Sequence, residues 1–433
     1  MYTQTLLVLG LMVIAFIAAI RLKADSTLSI LAAAAVGAVW SVFQDGFVEV
    51  VAQLVEGGFF LFNIALVVFC ATFFIRVLRR NGALNVVVSD ITMALGKHPV
   101  WLLIAMTAVV IFPGAITGSG TAAVMATGGL VGPVLMSLGI PIQSVAAIVA
   151  FAGTMGMIAP PVNIPAMIIA EGVVMPYVGF TWPLFVLTVP PAIVASLLIG
   201  LPWIRKNKGA TYGVTLDVDP KARGIRAYVG LLVVVALMII TRMFPHSLPV
   251  LGLPLVFVIG AFVALISGLN GRALGAELVG CFTDTIKETL QVNGILIAAG
   301  VLIQMMALTG VRGLIVVTTI TLPILWLYVM MVTVYPLIGG VLTSFGAATV
   351  IGVPLVLSFL GKNSVLVAAA VSAVGGLGVL VPPTAIVGAF AARAVGYEGS
   401  YADVLRKCMV PWLIVTVLSV LMIVYAKALT FLV

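Results

Sequence analysis

Four short stretches carry residue types from which a site for a hard cation or a carboxylate could be built. They are Thr117-Gly118-Ser119-Gly120-Thr121, Pro160-Pro161-Val162-Asn163-Ile164-Pro165, residues 339–344 (with Gly340, Thr343 and Ser344), and Pro382-Pro383-Thr384. Each interrupts an apolar run with helix breakers. A helix broken at membrane depth exposes backbone N–H and C=O groups, tolerable only where protein or a water-filled cavity satisfies them. The N-terminal ends of the half-helices carry partial positive charge and suit a substrate carboxylate. The freed carbonyls, with the side chains of Ser119, Asn163, Thr343 and Thr384, suit Na⁺ as a coupling ion. No Asp or Glu lies in any of the four breaks, which argues against proton coupling.

Other chemistries find little support. The histidines, His98 and His246, stand in different loops, and no nucleophile–base pair is evident, so the chain does not read as an enzyme and implies no cofactor. Cys70, Cys281 and Cys408 lie in or beside apolar segments and suggest no disulfide framework. Glu171 and Arg393 are both read as interfacial residues, and Arg393 is also the candidate contact for a charged substrate. Gly128, Gly132 and the cluster Gly375-Gly376-Leu377-Gly378 read as packing faces between helices.

The elements that must position these breaks follow from composition. Of 433 residues, 63% are apolar and 8% charged. A soluble domain carries about 25% charged residues, so a water-soluble enzyme and a disordered chain are both excluded. Successive apolar stretches of roughly 17 to 25 residues indicate a polytopic all-α membrane protein. The net charge of +8 is carried in short loops, which argues for a membrane orientation signal and no nucleic acid. Residues 2–20 read as a first span, with no basic segment or cleavage site of a removed signal peptide.

The chain also reads as a duplication. At a constant offset of 222, Thr121 aligns with Thr343, Thr127 with Thr349, Gly153 and Gly156 with Gly375 and Gly378, and Pro160-Pro161 with Pro382-Pro383. Residues 1–204 form the first repeat, with crossings at 3–21, 28–43, 57–79, 142–172 (broken) and 179–204, and a re-entrant hairpin at about 99–138. Residues 205–226 form a polar linker. Residues 227–433 form the second repeat, with a hairpin at about 316–360 and a broken span at 363–393. Five crossings per repeat make the second repeat inverted, a common build of secondary transporters. With the linker cytoplasmic, 17 of the 21 Lys and Arg residues fall inside and both termini face out. Residues 44–57, 84–96 and 271–290 are expected to be amphipathic helices lying in the interface.

The run from Gly114 through Ala123, then Gly132-Pro133, then Gly153-Thr-Met-Gly-Met-Ile-Ala-Pro-Pro161, resembles the large membrane subunit of TRAP transporters, the DctM-like family. Gly375-Gly-Leu-Gly-Val-Leu-Val-Pro-Pro383 and Tyr401-Ala-Asp-Val-Leu-Arg-Lys-Cys-Met-Val-Pro-Trp412 are similar to that family's C-terminal half. The resemblance implies an elevator-type, Na⁺-coupled importer of an organic acid, a C4-dicarboxylate or a sugar acid such as sialic acid. It implies a bacterial or archaeal inner membrane, a small four-helix membrane subunit and a periplasmic substrate-binding protein. A stand-alone gluconate- or citrate-type symporter is the alternative reading.

Overall fold

In hydrocarbon, a backbone must satisfy its own polar groups, and helices do so within one segment. The computed structural model describes residues 2–207, 224–243, 251–268, 273–359 and 361–433, and no strand occurs among them. Nine helices among the described residues are long and apolar enough to cross a membrane. The expected crossings are found as Tyr2–Arg21, Ser26–Asp45, Phe62–Arg80 and Thr181–Lys206. Most of the polar linker, and His246 with it, lies outside the described residues.

Two of the three expected interfacial helices are separate elements, Phe47–Phe60 and Ala83–Leu95. The third is not. Residues 274–290 are the first turns of one 35-residue helix, Leu274–Leu308, about 52 Å long at 1.5 Å per residue. No proline interrupts it, and its acidic side chains have protein partners. Glu277 and Asp284 lie 2.6 and 3.6 Å from the guanidinium of Arg80, and Glu288 pairs with Arg76. The acidic face thus meets the end of Phe62–Arg80.

This long helix packs against Ser26–Asp45, Phe47–Phe60 and Phe62–Arg80, which also lies along Leu253–Ser267. Two short helices lead from this body to the breaks. Ala83–Leu95 and Val311–Ile320 each start at a left-handed glycine, Gly82 (φ 73°) and Gly310 (φ 74°), which turns the chain out of the preceding helix. Asp90 on the first accepts a 2.7 Å hydrogen bond from Tyr228. Arg312 on the second donates to the carbonyl of Gly172.

Tyr2–Arg21 and Arg226–Met243 join this body against Ser26–Asp45 and Leu253–Ser267, and a second body is built around Ile142–Met157 and Ser364–Gly376. Every residue from Ser144 to Met157 and from Leu366 to Gly376 is buried. The first hairpin consists of Pro99–Thr117 and Gly120–Ser137. The second starts later than expected, because Val311–Ile320 is its own helix, ended ahead of Pro323. Its first arm runs from Ile324, passes a π-helical turn at Met330–Val334, and reverses at Thr343. Its return arm holds another π turn, Ala348–Gly352, and ends at Ser358. Thr181–Lys206 and Tyr401–Val424 flank the central helices.

Candidate functional site

The first hairpin turns on two residues. Gly118 adopts φ 65°, and Ser119 is extended and caps Gly120–Ser137 by accepting from Ala122 N at 3.3 Å. Thr117 Oγ1 donates to Pro113 O at 2.8 Å and accepts from Ser119 N at 3.2 Å. Ser119 Oγ and Thr121 Oγ1 stand 3.0 Å apart. The facing break joins Ile142–Met157 to Ile164–Gly172 through a cis Pro160–Pro161 bond. Val162 N donates to Ala115 O in the hairpin at 3.1 Å, which fastens break to tip through backbone alone.

Asn163 finishes this break and is fully buried. Its Oδ1 accepts from Ala166 N at 2.9 Å and caps the half-helix. Its Nδ2 donates to Ile158 O at 2.8 Å and to Ser372 Oγ at 3.1 Å. Its backbone N–H donates to Tyr177 Oη at 3.3 Å. Ser372 belongs to the other half of the chain, so Asn163 ties the two central helices together.

The second hairpin reverses at Thr343, with φ 64° and ψ 166°. That region of backbone space is essentially reserved for glycine and costs other residues on the order of 1–3 kcal/mol. Thr343 is buried, and its hydroxyl has no hydrogen-bond partner among the described residues. Ser344 is fully buried and donates to Met157 Sδ at 3.9 Å, at the end of the first broken helix. The facing break contains a cis Pro382–Pro383 bond. Thr384 donates twice to Gly340 O, from N at 3.2 Å and from Oγ1 at 2.8 Å. Ala385 stands where Asn163 stands in the first break, in a left-handed conformation (φ 39°), and leaves Ile386–Ala394 without a side-chain cap.

These contacts correct the alignment of the hairpins. The 222 offset holds for the broken helices, but the tips correspond at 225, so Gly118 matches Thr343 and Ser119 matches Ser344. Three independent contacts fix this. Gly114 lies on Gly156 as Gly339 lies on Gly378. A Cβ on Gly156 would come within 2.6 Å of Ile111 O, and one on Gly378 within 2.7 Å of Pro336 O. Ala115 O takes the Val162 N–H as Gly340 O takes that of Thr384. A gapless alignment misses the shift because Gly, Ala and Thr recur throughout both hairpins.

Tips and breaks also cross between the halves. A Cβ on Gly120 would meet Val387 at 2.7 Å, and one on Gly376 would meet Ile158 at 2.4 Å. The first tip thus lies against the half-helix that follows the second break, and Ser344 of the second tip against Met157 ahead of the first break. Arg393 is exposed, in the last turn of Ile386–Ala394, at the far end from the break. Ser372 and Tyr177 were missed. Ser372 carries the signal of a lone hydroxyl in an Ala/Val run; Tyr177 carries none. Among the described residues no cluster of His, Cys, Asp or Glu could hold a metal ion, so any cation here would rest on neutral oxygens.

The profile of the tripartite ATP-independent periplasmic transporter, DctM component, matches residues 5–429. No curated protein sequence matches the chain. Among solved structures, the chain is similar to the Alcanivorax borkumensis transporter YdaH, described as having an unusual topology (TM-score 0.62, 17% identity, 90% of each chain covered). It is also similar to Neisseria gonorrhoeae MtrF, described with a class of antimetabolite efflux pumps (TM-score 0.55, 15% identity, 89% of this chain and 85% of that one). At these identities the likeness concerns the fold.

Proposed function

The chain belongs to the DctM family, the large permease components of tripartite ATP-independent periplasmic transporters, which are secondary transporters, and we propose that it imports an organic acid together with Na⁺. The observation that carries this reading is the repeated tip–break pair, in which a hairpin carbonyl and a broken helix are fastened by the same backbone contact. Each pair offers carbonyls and hydroxyls without a carboxylate, a ligand set suited to Na⁺. The first cation would rest on the 117–121 tip with 161–163, and the second on Gly340, Thr343 and Ser344 with Pro383 and Thr384.

The organic acid would lie between the pairs. Gly120–Ser137 and Ile164–Gly172 each have one N–H of the first turn engaged, Ala122 N by Ser119 and Ala166 N by Asn163. Ile386–Ala394 has no side-chain cap, so its first turn is the one we assign to a carboxylate. In this reading the two repeats are inverted, and the hairpins and broken helices move together past the body built on Leu274–Leu308, carrying the site across the inner membrane. A small membrane subunit and a periplasmic binding protein would complete the system.

Uptake of candidate C4-dicarboxylates and sugar acids into proteoliposomes tests the proposal, with and without a Na⁺ gradient and the two partners. The expected result is uptake that needs both gradient and partners. Gradient-driven uptake by the isolated chain would instead establish a stand-alone symporter. Ser119→Ala and Thr343→Ala should each raise the Na⁺ concentration for half-maximal uptake, since loss of one buried polar partner is worth about 1–3 kcal/mol. Unchanged Na⁺ dependence in both folded variants would defeat the ion sites.

A further inference from the structure

We propose that an acyl chain of a membrane lipid occupies an apolar cavity behind the tip of the second hairpin. The cavity holds about 130 Å³ and lies between the first two helices, the end of Leu274–Leu308 and the second hairpin. Met12, Ala33, Leu302, Met306, Leu342 and Val350 are among its walls, and no polar residue lines it. Leu342 directly precedes the strained Thr343, and Val350 belongs to the π turn of the return arm.

Its walls decide what can fill it. A buried water needs two to four polar partners, and this cavity supplies none. A polar solute would find nothing to fix its orientation. An empty cavity would leave its walls without van der Waals partners on one side. Hydrocarbon fits, and the bilayer supplies it at the cavity's edge. Val13 lines the cavity and is 46% exposed. It belongs to Tyr2–Arg21, whose Leu6, Leu7, Ile14 and Ile17 are exposed as well. The cavity thus continues onto an exposed apolar surface of Tyr2–Arg21, which acyl chains would cover in a bilayer. An acyl chain lodged there presses on the hairpin at the residue beside its reversal. At the first tip, by contrast, Gly118 is closed in by Ile164 and Val162.

The test uses the full chain in vesicles of phosphatidylcholine carrying a diazirine in the acyl chain, with adducts mapped by mass spectrometry after photolysis. Adducts are expected on Met306 and Leu342, besides those on the lipid-facing Leu6 and Ile14. Ala33→Phe fills the cavity and should lower the Met306 and Leu342 adducts at least about fivefold while leaving Leu6 and Ile14 unchanged. Val350→Phe gives the same reading should Ala33→Phe fail to insert. Adducts confined to Leu6 and Ile14 in the unaltered chain would overturn the proposal, as would cavity adducts indifferent to both substitutions. Loss of the cavity adducts on adding the small membrane subunit would assign the space to a protein and overturn it too.

Discussion

The two tip–break pairs share one backbone scheme and differ in how it is held. In the first pair the reversal falls on Gly118, which accepts φ 65° without strain, and the half-helix is capped by Asn163, whose amide is saturated. In the second pair the same φ is forced on Thr343, and Ala385 takes a left-handed conformation with nothing to cap the helix. Val162 is fully buried, whereas Pro382 and Pro383 are exposed. The first pair is preorganised by its own side chains. The second stores strain at Thr343, whose buried hydroxyl has no partner among the described residues, and its half-helix has no side-chain cap. One backbone scheme can therefore be held in two ways, by its own side chains in one pair and under strain in the other.

The sharpest way to break the comparison is at the glycines that set the shared register. Gly→Ala within a helix ordinarily stabilises by up to about 1 kcal/mol. Here the added methyl would meet backbone at 2.6 Å in Gly156→Ala and at 2.7 Å in Gly378→Ala. Both substitutions should lower stability by about 3 kcal/mol, read as thermal unfolding in detergent. If only one of them matters, the two pairs are not built alike.

A smaller difference should separate the caps. Asn163→Ala removes a cap and orphans the buried Ile158 carbonyl, a loss of about 2 kcal/mol. Ala385→Asn places a residue tolerant of the left-handed region where no cap exists and should change stability by less than about 0.5 kcal/mol. Equal losses in the two variants would show that Asn163 has no special role.

At the tips the effects should have opposite signs. Thr343→Gly relieves the strained backbone and should raise stability by about 1 kcal/mol, while raising the Na⁺ requirement through loss of the hydroxyl. Gly118→Thr puts a β-branched residue in the left-handed region (φ 65°, ψ 17°) and meets Ile164 within 2.6 Å, so it should destabilise. The smallest effect is expected for Thr384→Val. Its hydroxyl shares Gly340 O with the backbone N–H of the same residue, so its loss should cost about 0.5 kcal/mol.

Much of this was legible before any coordinates. Hydropathy fixes the spans, because a stretch of apolar residues in lipid can only be a helix. The Pro-Pro pairs and the Gly/Ser/Thr runs mark the breaks, because proline and glycine disrupt helices whatever surrounds them. The family was legible in the same motifs. The extent of Leu274–Leu308 was not, because its acids find partners on a helix about 200 residues away in sequence. Nor was the register of the tips. The amino-acid sequence by itself determined where helices must run and where they must break, since those are local consequences of side-chain solubility and backbone freedom. Only the tertiary structure decided which break faces which tip, that Gly118 and not Thr121 is the counterpart of Thr343, and that Asn163 has its amide filled while the Thr343 hydroxyl has no partner among the described residues. Those outcomes depend on contacts between distant segments, where a shift of three residues leaves the composition unchanged but exchanges every partner.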